Sequence, residues 1–248
     1  MRDAMRRTSG ALQRWITPGV RYHQDVFVDM LDHYAPRGGA WLELGCGHQL
    51  LPPWHAHRER EMVGRAARVV GLDYDIDSLR RHETIRERLR ADIGAMPFPA
   101  ETFDLVTANM VVEHVERPDL LFAEVARVLR PRGVFLFHTP NARNYQVRIA
   151  GMVPEGLKPL LAGLVEGRRS EDVFPTFYRA NDDTSVRRFA AGAGLEIDRL
   201  DHISTYPGLG LVPPLALVEL LWIRLLERPS LTTYRHNLVC ALRKPARA

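Results

Sequence analysis

Three acidic residues, two of them in or directly after short apolar runs, could together bind a nucleoside. Glu43 precedes the turn Gly45-Cys46-Gly47, where its carboxylate could bind a charged amine or a hydroxyl. Asp73 ends the run Val-Gly-Leu-Asp and could accept hydrogen bonds from both hydroxyls of a ribose. Asp92 could accept one from the exocyclic amine of adenine while Ile93 packs on the ring. Each acid alone could be a helix cap or a surface residue, but together they favour a nucleoside site.

The glycine-rich turn after Glu43 is a weak signal by itself. Glycines after a buried strand allow a tight turn and let a ligand approach the backbone closely, although such a turn also occurs without any ligand. A dinucleotide fingerprint needs its third glycine at position 50, where Leu50 stands. This counts against an NAD-dependent oxidoreductase. Asp77 is expected to be the N-cap of the following helix rather than a ligand contact.

Short apolar runs alternate with helical patterns, and these elements must position the acids. Buried parallel strands are rich in β-branched and apolar residues and are bounded by Gly, Pro or Asp. The alternation predicts an α/β fold with right-handed crossovers. Strands are predicted at 40–44, 68–72, 103–107, 134–138, 195–200 and 237–242, and helices at 77–90, 118–129 and 183–191.

Composition and charge limit the class of protein. The chain has 248 residues, 46% of them hydrophobic and 26% charged, as in ordinary globular proteins. Its net charge of +4 comes from arginine-rich ends on an acidic body, which does not predict a nucleic-acid channel. Cys46 and Cys240 have no metal-ligand spacing, so no metal site is predicted. Residues 1–20 lack the apolar core of a secretory signal, and a cytoplasmic protein is expected.

Residues 208–226 are apolar almost all round. Their helical part is too short to span a bilayer, and a helix with little polar face is usually buried. This segment is expected to be a core or dimer helix, with a substrate lid or a peripheral membrane contact as alternatives.

The motifs taken in order resemble those of class I S-adenosylmethionine-dependent methyltransferases, in the bacterial branch of the type 11 methyltransferases. The resemblance is close over residues 38–142 and loose beyond them. The matching motifs are Glu-Leu-Gly-Cys-Gly at 43–47, Val-Gly-Leu-Asp at 70–73, Ala-Asp-Ile at 91–93, Met-Pro-Phe-Pro-Ala-Glu-Thr-Phe-Asp-Leu-Val at 96–106, Val-Val-Glu-His-Val at 111–115 and Arg-Val-Leu-Arg-Pro-Arg-Gly at 127–133.

The resemblance implies a Rossmann-like, doubly wound fold with a mostly parallel seven-stranded sheet, helices on both faces and insertions toward the C-terminal half. It implies S-adenosylmethionine as the cofactor and transfer of a methyl group to an acceptor. The organisation expected is one domain, 1–248, with a helical cover at 1–37, a cofactor-binding core at 38–142 and substrate-side insertions at 143–180 and 205–232.

The resemblance also assigns roles to residues. Gly45 and Gly47 would line the methionine and ribose part, Asp73 would hold the ribose hydroxyls, and Asn109 would border the sulfonium. The full set of expected cofactor-binding residues is Glu43, Gly45, Cys46, Gly47, Asp73, Tyr74, Asp92, Ile93 and Asn109.

An oxygen acceptor would also require a base. His138, at the end of the fifth strand of the family's sheet, is the better candidate, and His114, after the fourth, is the second; a structural role is the alternative for each. Tyr22 and His23 could cover the cofactor or simply pack.

The acceptor is expected to be a small-molecule, lipid or glycan-linked compound, because residues 171–179 mix acids, aromatic residues and an arginine that could line a pocket. Two other functions remain open. One is methylation of RNA or protein, and the other is an inactive Rossmann-like binding protein, supported by Gln49 where the family often has a third glycine.

Overall fold

The computed structural model describes residues 12–152, 175–208 and 213–246 of the chain. The strands are β1 (Ala40–Leu44), β2 (Arg68–Asp73), β3 (Glu87–Arg90), β4 (Phe103–Asn109), β5 (Leu129–Pro140), β6 (Glu196–Ile203) and β7 (Asn237–Arg243). The helices are α1 (His23–Tyr34), α2 (Ala56–Arg65), α3 (Ile76–Arg81), α4 (Pro118–Val128), α5 (Tyr145–Met152), α6 (Asp183–Gly192) and α7 (Pro213–Leu226).

The strands form one seven-stranded sheet in the order β3-β2-β1-β4-β5-β7-β6. The pairs β3–β2, β2–β1, β1–β4 and β4–β5 are parallel. Backbone hydrogen bonds show that β7 runs antiparallel to β5. Near the start of β5, the N–H of Arg132 donates to the carbonyl of Lys244, which follows β7. After the end of β5, the N–H of Asn141 donates to the carbonyl of His236, which precedes β7. The predicted doubly wound, mostly parallel sheet is confirmed.

Helices cover both faces of this sheet. On one face Phe122 of α4 packs edge-on against Phe135 and Phe137 of β5. The next residue of β5, His138, stacks on Phe27 of α1 with ring centroids 5.5 Å apart. Because successive side chains of a strand point to opposite faces, α1 and α4 lie on opposite sides of β5.

α4 shows why the sequence folds this way locally. Pro118 occupies its first turn, where the missing N–H costs no hydrogen bond. The helix ends where Leu129 turns extended and begins β5. Its buried side chains recur at helical spacing and join the main hydrophobic core; they are Leu121, Phe122, Val125 and Val128.

The prediction of a helix over 77–90 is wrong beyond Arg81. The helix α3 ends there, and residues 87–90 form the edge strand β3, all of whose side chains are exposed. The predicted N-cap was also wrong: Asp75, not Asp77, caps α3, accepting hydrogen bonds from the N–H groups of Asp77 and Ser78.

The chain divides into two compact units. The first, called here the sheet unit, comprises residues 27–139, 176–201 and 238–248. The other, called here the second unit, comprises residues 1–26, 140–175 and 202–237. The expected organisation as one domain stays a prediction. Among the residues that the structure describes, no helix is long and apolar enough to cross a membrane.

Candidate active site

The glycine-rich turn after β1 adopts a backbone that favours glycine. Gly45 and Gly47 have φ values of +63° and +53°, in the left-handed region that glycine enters at no steric cost. The N–H of Gly45 donates to the carbonyl oxygen of Leu72 at 2.7 Å, which ties the turn to β2. A Cβ on Gly45 would lie 2.4 Å from a Val111 methyl, whereas one on Gly47 would meet nothing within 4 Å. The turn is therefore closely packed at Gly45 and open at Gly47.

Asp73 joins this turn to the end of β2. Its Oδ2 accepts a hydrogen bond from the N–H of Gly47 at 2.8 Å, and its Oδ1 accepts one from the N–H of Asp75 at 2.8 Å. A carboxylate has about four lone-pair sites, so each oxygen keeps capacity for one more donor. Two fixed oxygens with that capacity suit the two hydroxyls of a ribose.

The backbone places Asp92 beside Asp73. The N–H of Ala91 donates to the carbonyl oxygen of Asp73 at 3.3 Å, which continues the parallel pairing of β3 with β2 by one residue and brings the backbone of Asp92 close to the end of β2. Asp92 accepts a hydrogen bond from Gly94 N–H at 2.8 Å, and Ile93 is partly buried against the core. An apolar side chain and a carboxylate on one short segment fit the expected adenine site.

Tyr74 is 71% exposed, with the guanidinium of Arg90 over its ring at 4.8 Å. The ring is therefore held at the end of β2 but not buried. Its expected place beside the adenine stays a prediction. An adenine ring in that place would cover the exposed area of the tyrosine ring.

Glu43 is buried in β1 and accepts a hydrogen bond from the hydroxyl of Thr107 on β4. Burial raises the pKa of this carboxyl and the nearby carboxylate of Glu59 adds to the rise, while the hydrogen bond from Thr107 lowers it; together these effects bring the pKa from 4.5 to about 8. At neutral pH the group is therefore mostly protonated, unless a cation lies beside it. Cys46 is buried as well, and burial raises the pKa of its thiol above the ordinary value.

Asn109 and His138 lie opposite each other on β4 and β5. The Nδ1 of His138 lies 2.8 Å from the Oδ1 of Asn109. An amide oxygen only accepts, so Nδ1 carries the proton and Nε2 is the basic nitrogen of the neutral ring. Met110, directly after Asn109, has a φ of +59°, and its N–H donates to His138 O at 2.8 Å. A left-handed methionine is strained backbone of the kind that clusters at functional sites.

His114 follows β4 and is partly exposed, with its Nε2 4.0 Å from the carboxylate of Glu113. Its neighbour Glu113, which was not among the predicted site residues, is buried and accepts a hydrogen bond from the Thr139 hydroxyl at 2.9 Å. Asn181 donates to the same hydroxyl at 2.6 Å. The sequence feature that could have identified Glu113 is an acid between the valines of the motif at 111–115.

The carbonyl of Glu113 also anchors part of the segment expected to line the acceptor pocket. It accepts from the N–H of Phe177 at 2.7 Å and from that of Tyr178 at 3.2 Å. Residues 171–174, like most of the insertion at 143–180, lie outside the described residues. Phe177 is partly exposed, with the Arg179 guanidinium 5.6 Å from its ring centre.

Tyr22 and His23, expected to cover the cofactor, belong to the second unit. There the N–H of His23 donates to the Thr205 hydroxyl at 3.3 Å, and the Tyr22 ring lies 5.6 Å from that of Tyr206. These contacts are packing contacts within that unit, and the covering role stays a prediction.

The residues of the sheet unit fit S-adenosylmethionine. The open space at Gly47 leaves room for a ligand against the backbone, the Asp73 carboxylate lies against Gly47, and Ala91, the residue before Asp92, bonds to the Asp73 carbonyl. Asn109 completes the set at the end of β4. No group of three or more metal-ligating side chains occurs among residues 12–152, 175–208 and 213–246.

Residues 42–137 match the methyltransferase domain family. The chain is 34% identical over 121 residues to a phosphatidylethanolamine N-methyltransferase of Cereibacter sphaeroides, covering 45% of this chain and 56% of that protein. It is 38% identical over 129 residues to a fatty-acid O-methyltransferase of Mycolicibacterium smegmatis, covering 50% and 45%. A ubiquinone biosynthesis O-methyltransferase of Azoarcus is 27% identical over 214 residues, covering 80% and 84%. This chain spans about half the length, or less, of three of the curated relatives that it matches.

Solved structures show the same fold. An S-adenosylmethionine-dependent methyltransferase from Mesorhizobium loti superposes with a TM-score of 0.53 at 19% identity, covering 87% of this chain and 96% of that one. The geranyl diphosphate C-methyltransferase of Streptomyces coelicolor, in complex with S-adenosyl-L-homocysteine, gives 0.56 at 14% identity, covering 89% and 80%.

Proposed function

We propose that this chain, whose residues 42–137 match the methyltransferase domain family, transfers a methyl group from S-adenosylmethionine to a small-molecule or lipid-like acceptor. The cofactor site lies in the sheet unit, at the ends of β1, β2, β3 and β4. The acceptor carries a substantial apolar part, such as an acyl, prenyl or ring portion.

One observation supports the cofactor site: hydrogen bonds join Gly47, Asp73 and the segment that carries Asp92. Asp73 accepts from Gly47 N–H, and its own carbonyl accepts from Ala91 N–H, one residue before Asp92. The acid expected to bind the ribose and the segment of the acid expected to bind the adenine therefore lie close together, with the open Gly47 beside Asp73. This arrangement matches the order of groups in the nucleoside of S-adenosylmethionine.

The bound cofactor supplies an electrophilic methyl group on a sulfonium. The protein's main task is then to orient the acceptor, and orientation can supply about 7–11 kcal/mol of a barrier. Glu43 provides a buried carboxyl for the amino group of the cofactor, which would favour the ionised form of that carboxyl. Asn109 presents its amide at the end of β4, where the methyl group is expected.

Proton removal from the acceptor is assigned to His138, with Asn109 as its positioning residue. The hydrogen bond between Asn109 Oδ1 and His138 Nδ1 keeps the proton on Nδ1 and makes Nε2 the basic nitrogen of the neutral ring. The Phe27 ring stacked on the imidazole fixes its plane. Such a base typically contributes about 10²–10⁴-fold. His114 is the second candidate, because its side chain is partly exposed.

The acceptor class is supported by relatives and by charge. Proteins similar to this chain are named for methylating phosphatidylethanolamine, a fatty acid and a ubiquinone precursor. The acidic body of the chain disfavours a nucleic-acid acceptor, since binding to phosphate backbones depends on clustered cations.

Transfer of an isotope-labelled methyl group tests this proposal. The protein is incubated with S-adenosylmethionine labelled in the methyl group and with three separate fractions of a bacterial lysate: lipids, water-soluble small molecules, and macromolecules. We expect label in the lipid or small-molecule fraction and none with the Asp73→Ala variant. Label only in RNA or protein would overturn the acceptor class, and no label in any fraction would indicate an inactive binding protein.

A further inference from the structure

The helix α7 of the second unit exposes large apolar side chains and buries an acidic one. A surface helix normally buries its apolar stripe and exposes its charged side chains. In α7 the carboxylate of Glu219 is buried, whereas five large apolar side chains are exposed. Their exposed fractions are 65% for Val218, 53% for Leu221, 48% for Leu215, 42% for Leu217 and 40% for Trp222.

The burial of Glu219 is built into the unit. Its Oε1 accepts hydrogen bonds from the Tyr145 hydroxyl, from Gln146 Nε2 at 3.0 Å and from the N–H of Gly208 at 3.0 Å. The side chains of Leu220 and Ile223, also in α7, are buried as Glu219 is. These contacts fix the rotation of α7 about its axis, so the apolar side chains cannot turn inward without breaking three hydrogen bonds.

A second exposed aromatic residue lies next in sequence to a residue that contacts α7. Residues 12–16 are helical, and Arg224 of α7 donates a hydrogen bond to the carbonyl of Ile16 at 3.4 Å. Trp15, next to Ile16, is 79% exposed. Tryptophan is enriched where proteins meet the boundary between lipid headgroups and acyl chains.

The charge of the second unit identifies the partner. Its described residues include seven arginines but three acidic residues. Of the three acids, Glu219 is buried and Glu227 is paired with Arg235 at 3.2 Å. Two copies of this unit placed face to face would bring like charges together. A nucleic acid would leave the exposed leucines and valine in contact with water. An anionic lipid surface matches both the apolar side chains and the positive charge.

We infer that α7 docks the protein on an anionic membrane surface, lying in the plane of the headgroups with Leu215, Val218, Leu221 and Trp222 inserted. At 1.5 Å per residue its 14 residues extend about 21 Å, which suits a helix that lies on a bilayer and does not cross it. The arginines of the second unit contribute attraction to the negatively charged headgroups. This inference does not depend on the identity of the acceptor. If the acceptor is a lipid, docking would bring the protein to the membrane that contains it.

Vesicle sedimentation with the full chain tests the docking surface. The vesicles consist of phosphatidylcholine alone or of equal parts of phosphatidylcholine and phosphatidylglycerol. We expect the protein to bind the mixed vesicles at least about tenfold more tightly than the neutral ones, with binding weakened by added salt. The variant Val218→Glu should lower binding to the mixed vesicles by about tenfold or more, because it places a charge in the inserted face.

The matched control is Ala191→Glu, which adds the same charge at an exposed position of α6 in the sheet unit and should bind as the unchanged protein does. Binding of S-adenosylhomocysteine, measured on all three proteins, shows that each is folded and separates a failure of docking from a failure of the proposed activity. Equal vesicle binding by both variants, or no vesicle binding by the unchanged protein, would overturn the inference. A soluble dimer that Val218→Glu dissociates would overturn it in favour of self-association.

Discussion

The buried carboxyl of Glu43 predicts a specific pH dependence of stability. Its pKa is raised from 4.5 to about 8 in the folded protein, first by burial and further by Glu59. At about 1.4 kcal/mol for each pKa unit, this difference corresponds to about 5 kcal/mol of linked free energy. The change that isolates this contribution is Glu43→Gln, which keeps the size and the acceptor for Thr107 but cannot ionise.

The sign follows from where the proton is held. Below pH 4.5 the carboxyl is protonated in both folded and unfolded chains, and its contribution to stability is fully present. As the pH rises from 4.5 toward 8, the unfolded chain loses the proton while the folded chain keeps it, so the free energy of unfolding falls. Above pH 8 both forms are ionised and this loss is complete.

Urea denaturation of both proteins over this pH range, followed by tryptophan fluorescence, measures the effect. We expect the stability of Glu43→Gln relative to the unchanged protein to rise by about 5 kcal/mol between pH 4.5 and pH 8. Taking the difference between the two proteins removes the contributions of all other titrating groups that the substitution leaves alone. Two parallel pH profiles would refute the reasoning, because they would mean that Glu43 is ionised in the folded protein.

Further predictions concern the glycine turn and the histidine pair. Gly45→Ala should lower the free energy of unfolding by about 2 kcal/mol or more, because its Cβ would lie 2.4 Å from a Val111 methyl in a left-handed backbone. Gly47→Ala has an open surrounding and should cost only about 1 kcal/mol yet weaken S-adenosylhomocysteine binding; equal thermal shifts for both would contradict this. Asn109→Leu removes the 2.8 Å hydrogen bond to buried His138 and should cost about 1–3 kcal/mol. A double-mutant cycle with His138→Phe should show coupling, and purely additive losses would argue against the pair.

The sequence predicted the elements that bury apolar side chains. β1, β2, β4 and α4 have continuous or periodic apolar patterns, and each lies within a few residues of its expected place. It also predicted that Asp73 follows a buried strand, and the structure brings Asp73 and the segment of Asp92 together through Ala91.

Two features were missed for physical reasons. Residues 87–90 of β3 are Glu-Arg-Leu-Arg, all exposed at the sheet edge, so no apolar alternation distinguishes this strand from a charged helix. The network of Glu113, Thr139 and Asn181 joins residues that are up to 68 positions apart, and only the folded chain brings their polar groups together. Local spacing carries no information about such contacts.

The central claim is that the sheet unit binds S-adenosylmethionine through Asp73, and calorimetric titration with S-adenosylmethionine and S-adenosylhomocysteine tests it most directly. The unchanged protein is compared with Asp73→Ala and with the control Asp77→Ala, which removes an exposed acid of α3 that pairs with Arg80 at 3.2 Å. We predict binding by the unchanged protein and by the control, and loss of binding by Asp73→Ala. A well-folded protein that binds neither compound, or an Asp73→Ala variant that binds as tightly as the control, would contradict the account.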